Sequence, residues 1–386
     1  MAILANNNNI QDVVAMISER GFDGMGDAMR IIFNQAMLVE RENYLQAGSY
    51  ERNSNRVDYA NGFKPKTLNT RLGAIEVAIP QTRESEFYPS FLEKGIRSER
   101  ALHIAMAEMY VQGVSTRKVT NVLESLCGLT VSSTQVSRAS QLLDEEFTKW
   151  RNRPLAQYKH LFLDAIYEKV RQGGCVLDCA ILVAYGVGSD GKRTILGVST
   201  ALSEAEIHWR TFLESLVTRG LHGLESITSD AHSGLKAALR AVFPSVLWQR
   251  CQFHLQQNAQ AYVPKKEMKT QVAEDIRNIF NAPNREDADR LLRISVEKYA
   301  KSAPALSVWM ETNIPEGLAI FHFDVSRRKR LRTSNIAERV NKEIRRRTRV
   351  VTIFPSVDSC LRLITGVLIE IDEAWISGKV YINTCN

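Results

Sequence analysis

From residue 160 the hydrophobic pattern changes period, and that change restricts the possible folds more than any other feature of the chain. Three strand-like runs, "HLFLDAIY", "GCVLDCAILVAYGV" and "RTILGVSTAL", follow one another through the Gly-bearing turns "RQGG" and "GSDGK". A helical run, "SEAEIHWRTFLESLVTRGL", leads to the strand "LESITSD", and a second, "HSGLKAALRAVF", to the strand "SVLWQRC". The order is β-β-β-α-β-α-β. Strands joined by tight turns pair antiparallel, whereas strands joined through helices pair parallel, so the pattern predicts one mixed sheet with helices on its faces. Such a core is expected over 155–254.

The flanking segments are different. Residues 1–98 begin with helical periodicity (Val13, Val14, Ile17, then Met29, Ile31, Ile32, Phe33, Met37) broken by "GFDGMG". A basic, turn-rich stretch follows, in which Ile75, Val77 and Ile79 alternate as in a half-buried strand and Gly73 marks a hairpin turn. Residues 99–150 read as three helices. The first ends at Gly113, the second is capped by Ser115 and ended by Gly128, and the third opens on the capping-box pattern Ser132-x-x-Gln135. Val136, Ala139, Leu143, Phe147 and Trp150 share one face of that third helix. Short helices separated by tight turns suit a helix-turn-helix, which would offer Gln135 and Arg138 to a DNA groove; the same periodicity fits a plain three-helix bundle. Residues 255–325 carry no strand signal and read as a helical insertion into the sheet domain, which resumes over 326–386.

Charge is focused rather than spread. Fifty Lys and Arg against 43 Asp and Glu leave +7 overall. The segment "RRKRLRTSNIAERVNKEIRRRTR", with eleven basic residues against two Glu, carries +9 by itself, so the remainder is slightly acidic. A helix this one-sided suits phosphate, with Lys342, Arg345, Arg346 and Arg347 as DNA-binding residues. No apolar run approaches the ~20 residues of a membrane span, and the N-terminus lacks the pattern of a secretory signal. Six cysteines in 386 residues do not form a disulfide framework. A reduced, cytoplasmic protein is expected.

Two acids stand at matching places in the strand pattern: Asp164 closes "LFLD" and Asp230 closes "SITSD". In the order above the first and fourth strands can be neighbours at the centre of the sheet, placing the acids side by side. Two unneutralised carboxylates a few ångströms apart repel, which makes sense if they share a cation. Mg²⁺ takes one or two carboxylates plus phosphate oxygens, and a pair of such ions suits in-line phosphoryl displacement. A third carboxylate would come from "SNIAERVNKE". Ile336, Val340 and Ile344 mark that helix's buried stripe, and Glu338 faces away from it beside Asn341, Lys342 and Arg345, whereas Glu343 borders it. Asp178, inside a strand, and Asp190, in a turn signature, suit structural roles. Asp230 could also cap the helix after it.

The strand order is that of an RNase H-like nuclease core. From about Tyr50 to Phe354 the chain moreover resembles the mutator-type transposases of bacterial insertion sequences. The stretches that carry the resemblance are "MYVQGVSTRKV", "LDAIYEKVR", "ILGVSTALSEAEIHWRTFLESLVTRGL", "SDAHSGLKAA", "WQRCQFHLQQN" and "TSNIAERVNKEIRRRTRVVTIFP". It implies an RNase H-like fold with a DDE triad and a helical insertion between the second Asp and the Glu. Matched residue by residue, the triad falls on Asp164, Asp230 and Glu338, and the family's Cys-x-x-His signature on Cys251 and His254. The implied activity is Mg²⁺-dependent DNA cleavage and strand transfer, with Mn²⁺ as a substitute. The implied partners are double-stranded DNA (terminal inverted repeats and target) and a second copy of the chain, in a nucleoid-associated setting.

Other readings differ in class. A non-enzymatic helix-turn-helix regulator would give the paired acids no role, and a structure-specific nuclease would cleave without joining. Cys251 and His254 suggest zinc, but a structural site needs four ligands and no second pair stands out, so a structural role is expected. Cys175 and Cys179 share one face of a strand and read as buried thiols, Trp309 reads as core rather than a base-stacking platform, and His232 either as a solvated helix start or as a contact to DNA or substrate phosphate. No GxxxxGK[ST] loop occurs, so ATP is not implied.

Overall fold

The computed structural model describes residues 7–52, 54–90, 92, 100–112, 114–141 and 143–382. Gly113 lies outside them. The chain divides into two compact units, Met1–Leu143 and Asp144–Asn386.

In the first unit α1 (Asn7–Arg20) and α2 (Met25–Leu45) are separated by a 3-10 turn at Gly21–Gly24. β1 (Ala60–Thr70) and β2 (Gly73–Thr82) form an antiparallel hairpin in which Thr70 pairs with Gly73. Gly73, at φ +101°, supplies the left-handed backbone that closes so short a turn. Ile75, Val77 and Ile79 are buried against Leu68 and Met37 of α2, so the alternation in sequence is the inner face of the hairpin. Three helices follow, α3 (Arg100–Val111), α4 (Thr116–Cys127) and α5 (Ser133–Gln141). Ser115 caps α4 by accepting from the Lys118 N–H at 3.3 Å, and Gly128 ends it at φ +63°. The capping box of α5 forms both ways: the Gln135 N–H donates to Ser132 Oγ at 3.2 Å and the Ser132 N–H to Gln135 Oε1 at 2.7 Å.

The third helix is shorter than its periodicity suggests. It stops at Gln141, and Phe147 and Trp150 belong to a separate helix, α6 (Asp144–Arg151), which opens the second unit. Three acids in its first turn favour a new helix start there, and both Asp144 carboxylate oxygens accept from Arg362 at 2.6 and 2.7 Å.

The second unit is built on a five-stranded sheet in the order β5-β4-β3-β6-β7. β3 (Tyr158–Gln172), β4 (Cys175–Gly188) and β5 (Arg193–Ala201) pair antiparallel; after α7 (Glu206–Thr218), β6 (Ser226–Ser229) pairs parallel to β3, and after α8 (Ser233–Val242), β7 (Leu247–Arg250) pairs parallel to β6. Ala180, Leu182 and Ala184 of β4 pack into the core formed with Trp209, Leu213, Leu235 and Ala238 of α7 and α8. Ile181, Val183 and Tyr185, which alternate with them, are buried on the opposite face.

After β7 the chain leaves the sheet as α9 (Gln252–Ala259), α10 (Met268–Phe280), α11 (Arg285–Tyr299) and α12 (Pro304–Asn313). These helices surround their own apolar core, which includes Leu255, Ile276, Trp309 and Leu318. Trp309 is core, as expected, and stacks on Tyr262 with ring centroids 5.5 Å apart. The chain returns as α13 (Val325–Leu331), α14 (Asn335–Thr348) and α15 (Val357–Ile376). α15 lies on the face of the sheet opposite α7 and α8, its Trp375 ring 6.2 Å from that of Tyr185. Cys175 departs from expectation: it is exposed at the start of β4, and only Cys179 is buried.

Candidate active site

Parallel register brings the two acids together. His160, Leu161 and Phe162 of β3 pair with Ser226, Ile227 and Thr228 of β6. Asp164 and Asp230 each lie two residues beyond the last paired positions, so they occupy equivalent places on strands about 4.8 Å apart. Leu161, Leu163 and Ile227 point into the α7–α8 core, so Asp164 and Asp230 fall by alternation on the other face. α14 and α13 cover that face: Thr228 Oγ1 donates to the Leu331 carbonyl at 2.8 Å, and Asn341 Nδ2 donates to Asp164 Oδ2 at 2.6 Å.

One detail corrects the sequence reading. β3 does not end at Asp164 but continues for eight residues, paired with β4. It is β6 that stops, and Asp164 stands in mid-strand where its neighbour gives out. Burial pushes its carboxyl above the usual range and Asp230 pushes the same way, while the Asn341 hydrogen bond and His254 oppose them. Asp230 is half-buried, and its Oδ1 accepts from the Ala231 N–H at 2.7 Å. It does not cap α8. That place belongs to His232, whose side chain makes no cap.

Cys251 continues the row of strand ends. Ser229 pairs with Arg250, and the Cys251 N–H donates to the Ser229 carbonyl at 2.8 Å. Its buried sulfur accepts from Ser334 Oγ at 3.3 Å and Ser334 N at 3.4 Å. Ser334 is the first residue of the α14 cap, and its carbonyl accepts from the Glu338 N–H at 3.2 Å. The Cys-x-x-His stretch therefore fixes where the helix bearing Glu338 begins. Burial pushes the Cys251 thiol up, but hydrogen bonding with His254 and Ser334 outweighs it, and the thiol lies below its ordinary value. His254 is raised to about 9, first by Cys251 and then, against burial, by the charges of Asp230 and Asp164. The two acids and Cys251 thus favour the charged form of His254.

Glu338 is half-buried in the first turn of α14. Among the described residues it forms no ion pair, and its carboxylate accepts no hydrogen bond. Glu343 is the reverse: Arg346 and Arg347 donate to it at 2.6 and 3.2 Å, holding its carboxyl below the usual range. No three His, Cys, Asp or Glu side chains among the described residues gather closely enough to hold a metal ion. The paired aspartates are one group, and Glu338 faces a basic cavity nearby.

The nucleic-acid residues divide. Gln135 and Arg138 are exposed in the first unit, although Gln135 Oε1 is engaged in its capping box. Lys342, Arg345 and Arg346 are exposed on α14. Arg347 is a correction: its side chain is 6% exposed and ion-paired to Glu343 and to Glu370 of α15. It follows Ile344 by three residues and so extends the buried stripe. Sequence reasoning missed the contact from Asn341 to Asp164; the signal was its place at i+3 from Glu338 on one helix face.

No described helix is long and apolar enough to cross a membrane. A family model described as "Transposase, Mutator family" matches residues 3–378. The transposase for insertion sequence element IS406 of Burkholderia multivorans is 54% identical over 385 residues, 99% of each chain. That for ISRM5 of Rhizobium meliloti is 39% identical over 362 residues, covering 94% of this chain and 91% of the relative. That for IS256 in transposon Tn4001 of Staphylococcus aureus is 39% identical over 363 residues, 91% of each.

Proposed function

The chain belongs to the Mutator family of transposases, and from that premise we propose that it cuts and joins DNA by a Mg²⁺-dependent mechanism of the DDE class, with Asp164, Asp230 and Glu338 as catalytic carboxylates. The observation that carries the proposal is the β3–β6 register, which puts two acids on one sheet face directly under the helix that bears the third. An RNase H-like core is consistent with three antiparallel strands followed by two parallel ones.

The donor set of the aspartate pair fits a hard divalent cation. Two carboxylates lie side by side, Asp164 disfavours bearing its charge alone, and the buried Oδ1 of Asn341 has no hydrogen-bond partner. When bound, Mg²⁺ or Mn²⁺ would stabilise negative charge on the phosphoryl, attacking and leaving oxygens. The chain's own residues set the stage. Asn341 fixes the orientation of Asp164, and the His254 imidazolium offsets the repulsion of the two acids. The Ser334–Cys251 contact sets the start of α14, whose first turn bears the unpaired Glu338. Lys342, Arg345 and Arg346 hold backbone phosphates without reading sequence. In the first unit, α4 and α5 would act as a helix-turn-helix, with Gln135 and Arg138 reading the terminal inverted repeats. A homodimer would pair two element ends, on nucleoid DNA in the cytoplasm.

Purified Asp164→Asn and Asp230→Asn variants test the reading on DNA carrying the element's ends. Each should lose cleavage by orders of magnitude and keep its fold and DNA binding, because the amide matches the volume but not the charge. Cleavage within a few-fold of wild type by either variant would remove that residue from the site.

A further inference from the structure

A concentration of unopposed positive charge lies along α14, in a cavity whose lining includes neither aspartate. A cavity of about 630 Å³ opens along α14, with Glu338 in its wall. Arg193 from the start of β5, Lys329, Arg330 and Arg332 from the end of α13, Arg339 and Lys342 from α14, and Lys379 from beyond α15 all line it. Among the described residues none of these seven forms an ion pair, and Glu338 is the one carboxylate in the lining. Arg193 Nε is buried with no hydrogen-bond partner. Burial pushes the Arg193 guanidinium down; Tyr381 opposes it, and nearby Arg339 and Arg330 push the same way as burial. Like charges gathered without counter-charge are unfavourable unless a polyanion offsets them.

The last described residues complete the wall. Tyr381 and Ile382 donate their N–H groups to the Gly191 carbonyl at 2.9 and 3.1 Å. Gly191 has φ +72°, and a Cβ there would strike the Ile382 carbonyl, so the β4–β5 turn is shaped to receive this segment. The guanidinium groups of Arg193 and Arg330 each stand over the Tyr381 ring, 5.0 Å from its centroid.

We propose that this cavity holds the backbone of one DNA strand next to Glu338, and that the C-terminal segment Lys379–Tyr381 is one wall of that strand site. The inference rests on the reading of the chain as a DNA-cutting transposase. It adds to that reading the residues outside the basic segment that close the site, Arg193, Lys379 and Tyr381, which no sequence motif marked.

The test is the salt dependence of binding of a short random-sequence duplex to full-length protein, without divalent metal. The Lys379→Ala/Arg339→Ala double variant alters two exposed side chains that make no described hydrogen bond or ion pair. Its slope of log K against log salt should be shallower by about 2, for any sequence. An unchanged slope at an unchanged thermal midpoint overturns the proposal. If the double variant melts early, Lys379→Ala alone should lower the slope by about 1, and an unchanged slope there overturns the proposal equally. Inorganic phosphate should compete only through its ionic strength; stronger competition in wild type, lost in the variant, would assign the cavity to free phosphate instead. Because binding is read without cleavage, normal cleavage by Asp164→Asn would sink the catalytic reading and leave this result to stand or fall by itself.

Discussion

Replacing Arg347 by Ala separates a structural arginine from the DNA-facing ones around it. Its guanidinium joins α14 to α15, donating to Glu343 at 3.2 Å and to Glu370 at 2.8 Å, with 6% of the side chain exposed. Removing one partner of a buried pair costs about 3–5 kcal/mol, because the remaining charge is stranded. Here the stranded carboxylates are 33% and 35% exposed, so water recovers part of their solvation, and Glu343 keeps Arg346. The cost should fall to about 2–3 kcal/mol. At ~2–4 °C per kcal/mol for a unit of this size, the thermal midpoint should drop by about 5–10 °C. Arg345→Ala, at an exposed position of the same helix, should leave the midpoint alone and lower the salt slope of DNA binding by about 1. Calorimetry and gel-shift titrations on the two variants decide it. An Arg347→Ala protein with a wild-type midpoint and a shallower salt slope would refute the reasoning.

Asn341→Ala should slow cleavage about 10–100-fold, mostly recoverable by raising Mg²⁺, because Asp164 loses the donor that orients it. Cleavage titrated against Mg²⁺ checks this, and an unchanged metal requirement would make Asn341 merely structural. Asp164→Asn should raise the thermal midpoint at neutral pH while abolishing cleavage. The folded carboxyl is raised, so its favourable contribution exists only below the ordinary carboxylate range of about 4 and is lost as pH rises through the folded value. The midpoint advantage of Asn over Asp should therefore shrink as pH is lowered toward that range, and a gap that widens in acid would contradict the account.

Much of this was written in the sequence because its local signals agree with the fold. Ile75, Val77 and Ile79 alternate and form the buried face of the hairpin, and Ser132 and Gln135 form both bonds of their box. The adjacency of Asp164 and Asp230 followed from strand order, since three hairpin strands and a crossover leave the fourth beside the first. What the sequence hid depends on partners distant in the chain. β3 runs past Asp164 because β4 continues beside it, and nothing within "LFLDAIY" says where pairing stops. The third helix breaks although its apolar stripe continues, and Asp144 at the start of the next helix is held by Arg362, more than two hundred residues away. Arg347 reads as one more base in a basic run, yet helical phase places it after Ile344 on the buried side, where Glu370 receives it. A run of like charges states composition; only the phase of the helix says which of them face solvent.

The central claim is that Glu338, and not Glu343, joins the two aspartates in catalysis. Its most direct test is side-by-side cleavage and strand transfer by Glu338→Gln and Glu343→Gln on DNA bearing the element's ends. Glu343 is committed to Arg346 and Arg347, whereas Glu338 stands without a described partner in the first turn of α14. The account predicts that Glu338→Gln loses both reactions with a near-normal midpoint and normal DNA binding, while Glu343→Gln keeps most activity at some cost in stability. A Glu338→Gln protein active within a few-fold of wild type, or a folded but inactive Glu343→Gln protein, would contradict it.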